Sequence, residues 1–199
     1  MKAELLSLFI ALTSCAFAQK SFFAVDAGVN VATQRVVSPY PGSASSSIMF
    51  FNNVVKPTFG FFYQYRVLDK ISLRANAQYM ALGAKGGFFY AHDLNINYLT
   101  FPVTVHYQVT KNLSLNTGGY LSFTIANTNL NDQPITSTYH KNDFGFSFGG
   151  ERDMCKNFSL GVNYYVGLKN IWLADQGGSI KYTNRVLQFT LIYKFRKPI

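Results

Sequence analysis

The stretch Ile71–Ala81 reads ISLRANAQYMA and alternates apolar with polar residues. Its odd positions carry Ile, Leu, Ala and Tyr, while positions 72, 74, 76 and 78 carry Ser, Arg, Asn and Gln. Successive side chains of a β-strand point to opposite faces of the sheet. A period of two over this length therefore predicts a strand with one apolar and one polar face.

The same alternation recurs along the chain, with turn residues between the alternating segments. Together with 71–81 we predict eight strands, the others being Phe23–Val31, Phe59–Tyr65, Leu99–Tyr107, Leu113–Ile125, Phe144–Phe148, Phe158–Leu168 and Leu187–Phe195. Short turns are predicted at 67–70, 110–112 and 152–157, and longer loops near 32–54, 83–93, 127–141 and 169–184. Short turns at one rim and long loops at the other are typical of outer-membrane barrels, with the short turns in the periplasm.

The composition of the apolar face separates a barrel in lipid from a soluble β-sandwich, which also alternates. Aromatic residues make up 17% of the chain, with 19 Phe and 13 Tyr, and several lie at strand ends, such as Tyr107 and Phe158. Amphipathic rings favour the membrane–water boundary. Backbone groups inside a bilayer must all be paired, so such a sheet must close. We predict an all-β fold, an eight-stranded antiparallel transmembrane up-and-down β-barrel in the cell outer membrane.

The strand near residue 100 contains two irregularities. Leu94, Ile96 and Tyr98 are apolar in one phase, whereas the apolar residues from Leu99 onward follow the other. We expect a β-bulge near Tyr98 that restores the faces. Pro102 lies within this strand and lacks a ladder donor, so a local distortion is expected there.

The first residues are predicted to be a secretory signal rather than part of the fold. A short region with Lys2 precedes an apolar run, and Ala16-Phe17-Ala18 fits a signal-peptidase site. We assign 1–18 to a cleaved signal peptide and 19–199 to the barrel. Residues 12–15, Leu-Thr-Ser-Cys, also resemble a lipobox, so lipidation of Cys15 stays open as an alternative. Cys155 would then be the one thiol of the barrel, which excludes an internal disulfide and a cysteine-based metal site.

The formal net charge of +9 is unchanged by loss of Lys2 and Glu4. An exported chain with basic residues spread over loops and turns is not expected to bind nucleic acid. Attraction to anionic lipid headgroups is the expected consequence. Outer-membrane lipids and the barrel-assembly machinery are therefore the expected general partners.

Candidate catalytic residues are few. His92 adjoins Asp93, and His140 lies near Asp143, each at the predicted outer rim, where a His beside a carboxylate could act as a general base. Polar loops contain such pairs by chance, and no metal-binding spacing appears. His106 is expected to face the lumen as a hydrogen-bonding residue. We predict no catalytic residue, no cofactor and no metal, and hence no enzyme.

Five charged residues are predicted to point into the lumen: Asp26, Arg66, Arg74, Glu151 and Lys194. A buried charge needs a partner, so they are expected to form an ion-pair network that plugs the barrel. The alternative is an anion-favouring constriction of a pore. An eight-stranded barrel encloses little more than its own side chains, which favours the plug.

Four segments resemble the PorT-like family of Bacteroidota outer-membrane β-barrel proteins. They are NYLTFPVTVHY at 97–107, NDFGFSFGG at 142–150, NFSLGVNY at 157–164 and RVLQFTLIYKF at 185–195. The chain departs from the family pattern at 151–155 and in its extension 196–199. The resemblance implies an outer-membrane barrel, and the family's namesake assists type IX secretion.

The expected function is a structural or interaction role in the cell envelope, with envelope or secretion proteins as partners. A narrow channel or small-ligand carrier is the alternative, and a rim enzyme is a third.

Overall fold

A computed structural model describes residues 21–39, 46–50, 52–84, 94–129, 140–172 and 180–195. The predicted signal peptide and Cys15 lie outside these residues. In the described part of the chain, no helix is long and apolar enough to cross a membrane.

Nine antiparallel segments form one sheet. They are β1 Ser21–Pro39, β2 Ser46–Phe50, β3 Val54–Leu68, β4 Ile71–Ala84, β5 Leu94–Thr110, β6 Leu113–Asn129, β7 Asn142–Asp153, β8 Phe158–Gly167 and β9 Lys181–Phe195. Strand β1 pairs with β3 on one side and with β9 on the other, which closes the sheet. The upper part of β1 pairs with β2 and its lower part with β3, so these two segments share one place in the wall. The fold is therefore the predicted eight-stranded antiparallel barrel.

Several strands are longer than the sequence predicts. β1 continues to Pro39 and β9 begins at Lys181, so parts of the loops expected at 32–54 and 169–184 are strands instead. The paired outward residues Thr33 and Arg185 are polar, so the apolar alternation ends while the ladder continues. A transmembrane strand needs only about 9–11 residues, so the 19-residue β1 extends beyond the apolar layer.

The two faces of the wall differ as predicted. Large apolar side chains are exposed on the outside of every full-length strand, among them Phe23, Phe61, Leu73, Val103, Leu115, Phe146, Leu160 and Leu191. The buried inward face carries polar residues that include Asn30, Gln78, Thr100, Ser147 and Gln188. An apolar exterior around a polar interior is the inverse of a soluble core and suits a barrel surrounded by lipid.

The bulge expected near Tyr98 is present in the β5–β6 pairing, but the extra residue lies on β6 and not on β5. Asn97 pairs with Ala126 and Tyr98 with Thr124, which leaves Ile125 of β6 as the extra residue. Strand β5 itself keeps its phase, because Ile96 and Tyr98 are buried on the same inward face as Thr100. The expectation that a bulge turns Ile96 and Tyr98 outward was wrong.

Pro102 does distort its ladder. Between the partners Ala75–Val103 and Gln78–Thr100, strands β4 and β5 have no paired residues, while Pro102 still opposes Tyr120 on β6. The missing N–H explains the gap on one side.

Gly145 allows neighbouring backbone and a tyrosine ring to pack closely against β7. A Cβ built on Gly145 would lie 2.0 Å from the carbonyl oxygen of Val166 and 2.9 Å from the ring of Tyr120. The lumen-facing Gly145 therefore leaves space for the Tyr120 ring, which packs against Tyr165 at a centroid distance of 5.5 Å.

Candidate functional site in the barrel lumen

The lumen at the short-turn end is closed by charged side chains from three strands. Glu151 of β7 lies between two cations: its Oε2 is 2.5 Å from Arg74 Nη2 of β4, and its Oε1 is 2.5 Å from Lys194 Nζ of β9. The same Lys194 Nζ is 2.5 Å from Asp153 Oδ1. All but Asp153 are buried. Charge-assisted contacts of this length in a region sheltered from water are strong.

Arg74 has further partners. Gln64 Oε1 accepts hydrogen bonds from Arg74 Nε at 3.0 Å and Nη2 at 2.7 Å. The guanidinium also lies 3.8 Å from the centroid of the Phe62 ring, within cation–π range. Gln64 opposes Arg74 across the β3–β4 ladder, and Phe62 is the next inward residue of β3. The alternation of two neighbouring strands thus orients the guanidinium toward Glu151.

Of the five predicted lumen charges, Arg74, Glu151 and Lys194 come together. Asp26 is buried as predicted, but its described contacts are amides: Gln78 Nε2 donates to Oδ1 at 3.0 Å, and Asn76 Nδ2 to Oδ2 at 3.4 Å. Arg66 is exposed, so its assignment to the network was wrong. It lies near the end of β3, beside a register shift between Arg66 and Leu68.

Sequence reasoning missed Asp153 because it was assigned to the turn at 152–157. Strand β7 extends to Asp153, two residues after Glu151 and on the same face. Its Oδ1 also accepts a hydrogen bond from Ser159 Oγ at 2.6 Å. The spacing of two between the acidic residues was the signal that could have identified it.

Above the ion pairs lies a cavity of about 30 Å³, bordered by Asp26 and Arg74. Four buried polar atoms at its wall have no protein partner: Asn76 Oδ1, Gln78 Oε1, His106 Nδ1 and Ser147 Oγ. The cavity has room for about two water molecules, which would satisfy such atoms. His106 is buried and contacts Thr104 Oγ1 through Nε2 at 3.0 Å, which matches the hydrogen-bonding role predicted for it.

The lumen at the long-loop end is filled by a hydrophobic cluster. Its larger members are Met80, Leu82, Ile96, Tyr98, Tyr120, Tyr165, Ile171, Tyr182 and Val186. Ile171 lies beyond the end of β8 and is fully buried, held by backbone hydrogen bonds with His140 and Tyr182. Trp172 stacks on Tyr182 at a centroid distance of 5.0 Å. The base of the last long loop thus folds over the lumen.

The candidate rim pair His140 and Asp143 have different partners among their described contacts. Asp143 is buried, and its Oδ2 accepts hydrogen bonds from Asn184 Nδ2 at 2.9 Å and Tyr120 Oη at 3.2 Å. His140 stays partly exposed, and partial desolvation together with nearby Lys169 lowers its pKa below the ordinary value. Asp143 therefore serves the packing of the lumen. His92 and Asp93 lie outside the described residues.

In the part of the chain that the structure describes, no group of three or more His, Cys, Asp or Glu side chains could hold a metal ion.

A closed antiparallel barrel with an apolar outer wall and buried polar and charged side chains in its lumen defines the class of transmembrane β-barrels. The chain belongs to the outer membrane protein β-barrel domain family, whose model matches residues 5–195. The protein is thus an outer-membrane β-barrel protein.

Several solved structures of small outer-membrane barrels align with most of the chain. Neisserial surface protein A aligns with a TM-score of 0.54 at 14% identity, covering 87% of this chain and 97% of that one. Outer membrane protein W of E. coli aligns with a TM-score of 0.46 at 18% identity, covering 88% and 98%. Ail of Yersinia pestis aligns with a TM-score of 0.46 at 12% identity, covering 87% and 99%. At such identities the likeness concerns the fold alone. No protein of curated function matches the chain in sequence.

Proposed function

We propose that this protein is a plugged barrel with a structural or interaction role in the cell envelope. In this role the barrel anchors its long-loop rim at the cell surface, where another envelope component binds. Transport through the lumen has no part in it.

One observation carries the proposal: side chains of the described residues fill the lumen at both ends. Buried ion pairs around Glu151 occupy the short-turn end, and the cluster around Tyr98 and Tyr165 occupies the long-loop end. The cavity between them, at about 30 Å³, has room for about two water molecules. A pocket for a small organic ligand is typically about ten or more times larger. The cavity volume therefore supports a channel or a small-ligand carrier less well than a plugged barrel.

The partners proposed for this role come from two arguments. Outer-membrane lipids cover the apolar wall, and the barrel-assembly machinery inserts it, because an open sheet edge cannot persist in lipid. A secretion or envelope-assembly protein at the rim rests on the resemblance of residues 97–107 and 142–150 to PorT-like barrels.

Site-specific photo-cross-linking in cells tests the interaction role. A photoreactive residue at exposed Lys141, next to the long-loop rim, should yield a discrete adduct with one envelope protein. The same residue at exposed, lipid-facing Val103 is the matched control and should yield none. Absence of an adduct at Lys141, or the same adduct from both positions, would contradict the proposal.

A further inference from the structure

Three cations lie together on the outer surface of β1 and β9, above the apolar band. Arg35 opposes Thr183 in the β1–β9 ladder, Thr33 opposes Arg185, and Val37 opposes Lys181. Inward residues of β1 and β9 have even numbers and are buried, so Arg35, Lys181 and Arg185 share the outward face. We call these three residues the upper cationic patch.

The spacing of Arg35 and Lys181 suits one compact anionic group. Lys181 and Arg185 are the two diagonal neighbours of Arg35, and diagonal neighbours in an antiparallel pair are roughly 7–8 Å apart. Long side chains reach across that distance. Arg185 Nη1 donates to the carbonyl oxygens of Gly167 on β8 and of Asn184, both at 2.8 Å, so its guanidinium lies toward β8, on the side of β9 away from Arg35.

The patch lies at a boundary. The next outward pair below it is Val31 and Leu187, followed by Val29 and Phe189, and both pairs continue the apolar surface. The phosphate-bearing headgroups of the outer leaflet begin where such an apolar band ends. The carboxylates of the described residues lie elsewhere, in the lumen or at the short-turn end, so none neutralises the patch.

The opposite wall differs at the same height. The outward residues of β5 above Leu99 are Asn97 and Asn95, which carry no charge. The described part of β5 thus carries no counterpart of the patch at this level.

We propose that the upper cationic patch binds the phosphate of a phosphorylated glycolipid in the outer leaflet. Arg35 donates to the phosphate oxygens, for which a planar guanidinium is well suited, and Lys181 adds a point charge. Arg185 adds positive charge beside them from the β8 side. The acyl chains lie on the apolar surface formed by Val29, Val31, Leu187 and Phe189.

Binding of purified lipid A to the folded protein in detergent micelles, measured by native mass spectrometry, tests this site. The wild type should bind bis-phosphorylated lipid A about tenfold or more tightly than dephosphorylated lipid A. The double variant Arg35→Gln/Lys181→Gln should lose about tenfold in affinity for the phosphorylated lipid, because each cation near an anionic headgroup contributes to binding. Both side chains point away from the lumen, so the variant should keep the heat-dependent gel mobility of a folded barrel. Lys181→Gln alone is the second variant if the double variant does not fold.

The matched control is Lys70→Gln/Lys111→Gln, which removes the same charge from exposed turns at the other rim. It should keep wild-type affinity. Equal loss in both double variants would show a general charge effect and overturn the site. Equal binding of the dephosphorylated lipid would overturn it as well. Displacement of lipid A by inorganic phosphate at comparable concentration would assign the site to free phosphate and not to a lipid.

Discussion

Glu151 Oε2 of β7 lies 2.5 Å from Arg74 Nη2 of β4, and 77 residues separate the two in sequence. Strands β5 and β6 lie between them in the wall, so the ion pair crosses the lumen. The other carboxylate oxygen of Glu151 contacts Lys194 of the closing strand β9. One buried carboxylate thus connects three strands at the short-turn end, and this arrangement closes the lumen there.

Glu151→Gln should strongly destabilise the barrel. The amide cannot compensate two buried cations, and Arg74 would keep only neutral partners among its described contacts. Removing one partner of a buried ion pair costs about 3–5 kcal/mol, and Lys194 keeps Asp153, so the lower part of that range is expected. Urea unfolding in lipid vesicles measures the loss. Asp153→Asn is the control, because Asp153 is 24% exposed and its loss should cost less. Equal losses for the two variants would contradict a central role for Glu151.

Arginine on the outer wall should be costly in proportion to its depth in the membrane. Val103→Arg places a charge in the middle of β5 and should cost about 2–4 kcal/mol. Val109→Arg, on the same face near the short-turn end, should cost about 0–1 kcal/mol. The two valines are similarly exposed, at 51% and 45%, so depth is the main difference. Unfolding free energies in vesicles compare them, and equal costs would place the membrane elsewhere on the wall.

Gly145→Ala should destabilise the barrel, because the added Cβ would lie 2.0 Å from the Val166 carbonyl oxygen and 2.9 Å from the Tyr120 ring. Overpacking of this kind costs about 1–3 kcal/mol. Gly119→Ala is the matched control, since the nearest atom to its added Cβ is 3.7 Å away. It should be neutral within error in the same unfolding assay. A neutral Gly145→Ala would contradict this account, because the backbone and the Tyr120 ring would then shift to accommodate the methyl group at little cost.

Alternation was sufficient to predict the eight strands, because lipid selects the outward residues so uniformly. Ile71–Ala81 follows β4 to within three residues, and Phe158–Leu168 follows β8 to within one. Beyond the lipid that selection ends. The upper part of β1 carries polar Thr33 and Arg35 on its outer face. Apolar–polar alternation therefore could not predict that it is a strand.

The lumen was only partly predictable. Arg74, Glu151 and Lys194 stand in the polar phase of clear strands, so their convergence followed from alternation. Ile96 and Tyr98 were placed on the wrong face, because apolar side chains fill the lumen at the long-loop end, where an apolar residue can face inward. The prediction for Arg66 was wrong because this residue lies at a strand end beside a register shift, outside the enclosed lumen.

The central claim is that the lumen is closed, and single-channel recording in planar lipid bilayers tests it most directly. Wild-type protein, with insertion verified by its folded gel mobility after recovery from the membrane, should give no step-like currents in concentrated KCl. Among the described residues, the ion pairs of Glu151 obstruct the lumen at one end and the cluster around Tyr98 obstructs it at the other. Reproducible current steps of one defined size from the wild type would contradict the closed lumen and favour a channel.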